Sequence, residues 1–289
     1  MPTTTPDTGT LYVVATPIGN LEEITPRAVR ILTEVDLIAC EDTRHTRKLI
    51  NHLQITTPLT SYYREKEQYK AELLLQQLQN GVQIALVSDA GTPCISDPGS
   101  VLVRQARGAG IPVVPVSGPS ALITAISVAG LEQSGFFFAG FPPSKKKARK
   151  DFFKQHAALP CPLIFYESPH RIQTSLLDAM FALGDRQAQL FRELTKVHEE
   201  HRQGTLSELS QSCAGKNRGE FVVIVDGAEL TAPDKPEDID ELILWYRDQQ
   251  NVSLKKTVQQ IAADLDIPRT KIYQRALTLW KTGPTDPER

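Results

Sequence analysis

Ser88-Asp-Ala-Gly-Thr-Pro-Cys-Ile-Ser-Asp-Pro-Gly99 is the stretch on which the fold turns. It follows Val82–Val87, apolar but for Gln83 and of the kind a strand covered on both faces requires. Gly91 and Gly99 remove side chains where the backbone turns or approaches a ligand closely. Asp97-Pro98 then opens a helix that Gly108 ends. A strand, an acidic glycine-containing turn and a helix are the parts of an α/β sheet, whose ligands bind outside the carboxyl ends of the strands. Asp89 and Asp97 are placed to accept hydrogen bonds from a ligand's hydroxyl or ammonium groups. Taken alone, the same segment also reads as an acidic turn capping two helices.

The pattern repeats on either side. Strand candidates are Leu11–Ala15, Val35–Ala39, Val82–Val87, Ile111–Val116, Phe136–Ala139, Leu163–Tyr166, Gln189–Phe191 and Phe221–Val225. Five more polar loops follow such runs: Thr16–Asn20, Glu41–Arg44, Ser117–Ser120, Glu167–Arg171 and Arg192–Lys196. Helical patterns lie between, with Thr25-Pro26 as cap and first residue of one, and Tyr69–Leu78 stopped by Asn80-Gly81 as another. The rhythm breaks over Gly130–Pro143. This places a domain boundary near Gly118, giving α/β domains over 1–117 and 118–228.

An acid- and proline-rich linker, 229–237, leads to a purely helical module, 238–289. Leu254, Val258, Ile261 and Leu265 share one helical face; Ile272, Tyr273, Ala276 and Trp280 share another. The short turn Asp264–Pro268 makes these two a helix-turn-helix pair. Thr282–Arg289 reads as a disordered tail.

Composition narrows the function. The 289 residues are 40% hydrophobic and 23% charged with a net charge of -2, which describes a soluble globular chain rather than a basic nucleic-acid coat. The first ten residues have no cationic or apolar region of a signal peptide, and no apolar run reaches the ~20 residues that span a bilayer. The four cysteines, Cys40, Cys94, Cys161 and Cys213, have neither zinc nor redox spacing and read as thiols of a reducing cytoplasm. The dinucleotide, P-loop and nucleophile-elbow fingerprints are absent. Ser144-Lys-Lys-Lys-Ala-Arg-Lys150 is the one basic run; it is either a solvated helix face or a phosphate-contacting edge built from Lys145, Lys146, Lys147 and Arg149.

Val13–Leu21, Cys40–Arg44, Ser88–Gly99 and Arg192–Glu200 closely resemble the ribosomal RNA small-subunit methyltransferase I family, of the tetrapyrrole-methylase superfamily. The resemblance spans about Gly9 to Gly227. It implies two α/β domains with S-adenosylmethionine (SAM) in the cleft between them, and a homodimer. The implied reaction is 2′-O-methylation of a cytidine ribose in the decoding centre of small-subunit (16S) ribosomal RNA, naked or within the 30S subunit. Asp89, Gly91, Thr92, Pro93 and Ile95 match the superfamily's acidic cofactor loop, Ser120 and Ala121 its small-residue helix start, and Tyr166 and Glu167 the wall from the second domain. Where the tetrapyrrole methylases have G-x-G-P-G-D, this chain has Ala15-Thr-Pro-Ile-Gly-Asn20, which fits a different acceptor lying there.

A ribose hydroxyl becomes a useful nucleophile only when its proton is accepted. Asp42, Glu193, Lys196 and Glu199 are the candidate catalytic groups, with Arg44 and Lys196 holding neighbouring phosphates. The mechanism requires no metal. Two other readings fit part of the chain: a methyltransferase of a tetrapyrrole or other small acceptor, and a non-catalytic RNA-binding protein with a degenerate cleft.

Overall fold

The computed structural model describes residues 8–132, 135–228, 238–248, 253–265 and 267–280. The linker 229–237, the tail 282–289 and the start 1–7 lie outside them.

The first half runs β1 (Leu11–Val14), α1 (Pro26–Glu34), β2 (Leu37–Cys40), α2 (Thr43–His52), β3 (Leu59–Ser61), α3 (Glu67–Gln79), β4 (Ile84–Val87), α4 (Ser100–Gly108) and β5 (Val113–Val116). Its strands form a parallel sheet in the order β3-β2-β4-β1-β5. Every residue of β4 is buried, which explains its unbroken apolar run. α1 starts where expected, with Thr25 Oγ1 accepting from the Ala28 N–H at 3.1 Å. Three strands, β2, β4 and β5, begin later than their expected runs. Val35 closes α1 through its N–H to Ile31 O at 3.1 Å, and Ile111 closes α4 through its N–H to Ala106 O at 2.9 Å.

The second half runs α5 (Ala121–Val128), β6 (Phe137–Phe138), α6 (Lys146–Gln155), β7 (Leu163–Glu167), α7 (Ile172–Leu183), β8 (Gln187–Arg192), β9 (Glu200–Thr205), α8 (Leu206–Ser212) and β10 (Phe221–Val225). The sheet order is β6-β7-β10-β8-β9, antiparallel except for β6 beside β7. Alternation on β10 divides the core. Phe221, Val223 and Val225 join Phe153, Phe165 and Leu176 on one face, while Val222 and Ile224 join Leu122, Ala125 and Phe191 on the other. Each such side chain contributes roughly 1.5–3 kcal/mol relative to exposure.

Both sheets belong to one compact unit that ends at Ala228, so the boundary expected near Gly118 divides two sheets inside one body. The second unit holds α9 (Ile239–Asp248), α10 (Leu254–Leu265) and α11 (Arg269–Trp280) around its own core of Leu242, Ile243, Val258, Ile261, Ile272 and Ala276. Tyr273, expected on the apolar face, is exposed instead. No helix among the described residues is long and apolar enough to cross a membrane.

Candidate active site

A cavity of about 270 Å³ opens at the carboxyl edge of the parallel sheet, and both sheets wall it. Of the six polar loops, five reach it: Ile18, Glu41, Asp89–Ile95, Ser120 and Glu193–Lys196 each supply lining residues, while Glu167–Arg171 supplies none.

The first wall is held by backbone. Thr16 and Gly91 exchange N–H···O bonds of 2.9 and 3.0 Å, which tie the end of β1 to the loop after β4. Gly91 sits at φ +80°, and a Cβ there would stand 3.2 Å from Ile18 Cγ2, so both conformation and space favour glycine. Thr92 Oγ1 donates to Pro119 O at 3.0 Å. From below, Glu67 Oε1 of α3 accepts from the Gly99 N–H at 2.8 Å and from the Tyr62 hydroxyl at 3.2 Å. Tyr166 closes the corner, its hydroxyl accepting from the Leu122 N–H at the start of α5 (3.0 Å), with the Phe141 ring 5.4 Å away edge-on.

The second wall is held by side chains on a strained turn. Glu193 and Thr195, neither of them glycine, adopt φ of +52° and +68°. Left-handed backbone at such residues costs of order 1–3 kcal/mol and concentrates at functional sites. Lys196 Nζ pairs with Glu193 Oε1 at 2.8 Å, and both line the cavity. The Lys196 stem lies across Gly19, where any side chain would collide with it.

Five carboxylates, from Glu41, Asp89, Asp97, Glu193 and Glu220, line the cavity against one ammonium, that of Lys196. Burial, reinforced by Asp97 and Asp89, pushes the Glu41 carboxyl above the usual range. Burial also raises Asp97, with Asp89 and Glu220 adding to it against a hydrogen bond from Ser88. Ser96 Oγ is buried beside them without a partner. The arrangement suits a polar ligand with positive charge.

The sequence-derived candidates divide. Asp89, Gly91, Thr92, Ile95, Ser120, Ala121 and Tyr166 come together around the cavity with Glu193 and Lys196; Pro93 is not among the lining residues. Glu167 is 0% exposed and does not line the cavity. Its carboxylate is taken by the Ser168 N–H (2.8 Å), Arg171 (3.0 Å) and the Ser175 hydroxyl, so it braces the turn after β7. Asp42 and Glu199 also stay outside. Asp42 caps α2, bonded to the Arg44 N–H (2.8 Å) and guanidinium (2.9 Å), and these bonds pull its carboxyl down to about 2. Arg44 is thereby committed to Asp42, although its side chain is exposed. Glu199 accepts from the Thr195 N–H at 2.5 Å and supports the strained turn. Lys145, Lys146 and Lys147 are exposed, whereas Arg149 is buried against Asp178 and is closed to an outside phosphate.

Phe141 and Glu220 are lining residues that the sequence reading passed over. Glu220 precedes β10, which runs antiparallel to β7 and β8, so its amino end meets their carboxyl ends. A rule about carboxyl ends alone misses it. Glu41 was within reach, as the acid next to Asp42.

Residues 10–210 match the family described as Tetrapyrrole (Corrin/Porphyrin) Methylases. The architecture is similar to that of the uroporphyrin-III C-methyl transferase from Thermus thermophilus complexed with S-adenyl homocysteine: TM-score 0.53, 18% identity, covering 75% of this chain and 97% of that one. A tetrapyrrole-methylase fold with an acidic cavity at its strand ends defines a SAM-dependent methyltransferase. Within that class the chain is 46% identical to the ribosomal RNA small subunit methyltransferase I of Escherichia coli O157:H7, covering 93% of this chain and 95% of that protein. It is 43% identical to the protein of the same name from Halalkalibacterium halodurans, covering 92% and 94%. The chain belongs to the ribosomal RNA small subunit methyltransferase I family.

Proposed function

We propose that the protein methylates small-subunit ribosomal RNA at the ribose 2′-oxygen of a cytidine in the decoding centre, acting as a homodimer in the cytoplasm. The observation that carries the reading is the cavity itself: carboxylates from two sheets facing one paired lysine, in a chain of this family.

The residues fit SAM, whose sulfonium and ammonium groups are both positive. Asp89 and Asp97 accept from its hydroxyl or ammonium groups, Gly91 allows close approach, and Ser120, Ala121 and Tyr166 pack beside it. Ser96 Oγ, otherwise unpartnered, has a hydrogen bond to give. When bound, SAM supplies a methyl group activated by the positive sulfur. Glu193 accepts the proton that leaves the 2′-oxygen, a contribution of typically ~10²–10⁴-fold. Lys196, fixed by Glu193 and the face of Gly19, orients the acceptor, whose own phosphates take the ammonium's remaining donors.

In the second unit, Lys255, Lys256, Arg269 and Lys271 are exposed and add a basic element for RNA. Arg275 is already paired with Asp240 at 2.5 and 2.7 Å.

Alkaline hydrolysis tests the reading. A 2′-O-methyl group removes the nucleophile that cleaves the adjoining phosphodiester, so methyl label from SAM is expected in an alkali-resistant dinucleotide. Label found only in mononucleotides defeats ribose methylation, and unlabelled RNA defeats the RNA substrate.

A further inference from the structure

The basic run divides on α6. Arg149 turns inward, 5% exposed, its guanidinium on Asp178 of α7 at 2.7 and 2.9 Å. Lys147, Lys150 and Lys154 lie at i, i+3 and i+7 and share an outer flank. Lys150 Nζ stands 3.9 Å, and Lys154 Nζ 5.9 Å, from the ring centroid of Phe181 on α7. Phe181 is 64% exposed, and Leu177 one turn earlier is 44% exposed. A large apolar ring left this open is informative in a way that scattered surface leucines are not. The buried Asp178 takes Arg149 and, at 3.9 Å, Lys150 Nζ, while the exposed Asp151 flanks Lys147; four cations of α6, counting Lys154, therefore face two carboxylates.

We infer that this face of α6 and α7 is a docking surface for a single-stranded stretch of the RNA substrate, with phosphates on Lys147, Lys150 and Lys154 and a base against Phe181. The inference rests on the reading that the substrate is RNA. Single-stranded nucleic acid is bound by a positive track beside aromatic side chains, because phosphates repeat along the strand and every base has a π face. Charge selects this occupant over an apolar partner: the ring is framed by ammonium groups, which an apolar surface would desolvate without recompense. The track also begins near the cavity. Only Pro142, Pro143, Ser144 and Lys145 separate the lining residue Phe141 from α6.

The test uses the full-length protein with Phe181→Ala and Lys154→Gln, both at exposed positions. A fluorescein-labelled single-stranded RNA, and a blunt duplex containing the same strand, are titrated by anisotropy over a range of salt. Phe181→Ala is expected to weaken single-strand binding roughly 5- to 150-fold, the range for losing one stacked base, and to leave duplex binding unchanged. Lys154→Gln is expected to flatten the log–log salt dependence by about 0.7. SAM affinity, measured by calorimetry, stays at the wild-type value in both and marks an intact cofactor site. Wild-type RNA affinity and slope in both variants overturn the inference, as does an equal loss on single strand and duplex. A shift in sedimentation on Phe181→Ala without a change in RNA affinity also overturns it and assigns the face to contact between copies. Wild-type protein that methylates RNA while the variants bind normally sinks this inference alone; wild-type protein that neither binds nor methylates RNA sinks the functional reading with it.

Discussion

The two walls of the cavity are built by different means. The wall from the parallel sheet is stitched by backbone hydrogen bonds, Thr16 with Gly91 above all, and buttressed from α3 by Glu67. The wall from the mixed sheet is a turn with two non-glycine residues in left-handed conformation, tied by the Glu193–Lys196 ion pair and the Glu199 carboxylate. Backbone pairing fixes a shape with little regard to side-chain identity, except where a position such as Gly91 admits no side chain. An ion pair on a strained turn fixes two side chains and depends on their identity. The first construction suits a cofactor common to a superfamily; the second suits an acceptor particular to one branch. Substitutions in the two walls therefore separate binding from chemistry.

Glu193→Gln gives the largest separation. It keeps the size of the side chain and removes the proton acceptor proposed above, so kcat is expected to fall about 10²–10⁴-fold while SAM affinity moves by no more than a few-fold. Rapid-quench methyl transfer together with calorimetry measures both. Unchanged kcat moves the proton acceptor to another of the lining carboxylates. A matching collapse of SAM affinity removes the distinction between the walls.

Gly91→Val is the counterpart. A β-branched residue at φ +80° is strained, and its Cβ presses on Ile18. SAM affinity is expected to fall about 100-fold, equivalent to ~2.7 kcal/mol. Circular dichroism that remains native assigns the loss to the site. Normal SAM affinity in a folded variant dismisses the first wall as the cofactor's.

A smaller effect follows from Glu41 and Asp97. Both carboxyls stand above their ordinary range, chiefly through burial. In the window between the ordinary and the raised values the folded protein holds more protons than the unfolded chain, so ligand-free stability falls as pH rises through it. A positively charged ligand favours the ionised forms. SAM affinity accordingly weakens as pH falls through the raised values, by up to about tenfold per pH unit for each group that must ionise, and binding releases protons. Calorimetry in two buffers of different ionisation enthalpy counts them. Proton uptake, or affinity flat from neutral to mildly acid pH, contradicts a cation seated among these carboxylates.

Legibility in the sequence follows the same division. The parallel sheet announces itself through runs such as Ile84–Val87, buried throughout, and its loops through glycine and proline. β9 does not, because Glu200-His-Arg-Gln-Gly-Thr205 pairs only with β8 at the sheet edge and carries no apolar alternation. β3 is three residues long with one neighbour and leaves almost no signal. Arg149 reads as a phosphate contact and Glu167 as a wall of the cofactor cleft until the fold brings Asp178 and Ser175 onto them. Acids at strand ends are visible residue by residue. Which of them enters the cavity depends on helix caps and strand direction, and these appear only once the chain is folded.

Asp42 makes the sharpest control because it is an acid beside the cavity that does not line it. Its carboxylate is bound by Arg44 at the start of α2, and only its backbone N–H reaches the lining residue Asp89, at 3.1 Å. Asparagine caps a helix as well as aspartate and leaves that N–H in place. Asp42→Asn is therefore expected to leave kcat and SAM affinity within about twofold of wild type, differences of ~0.4 kcal/mol or less. The stability effect has a defined sign. The carboxyl titrates at about 2 in the fold against an ordinary 3.8, so its contribution is complete above 3.8 and is lost as pH falls toward 2. Melting temperatures of wild type and variant should differ slightly and constantly near neutrality, then converge across that acid window, where only the wild type has a carboxylate to protonate. A fall in kcat comparable to that of Glu193→Gln, with the melting curves behaving as described, makes Asp42 the proton acceptor and places the chemistry on the wall assigned here to binding.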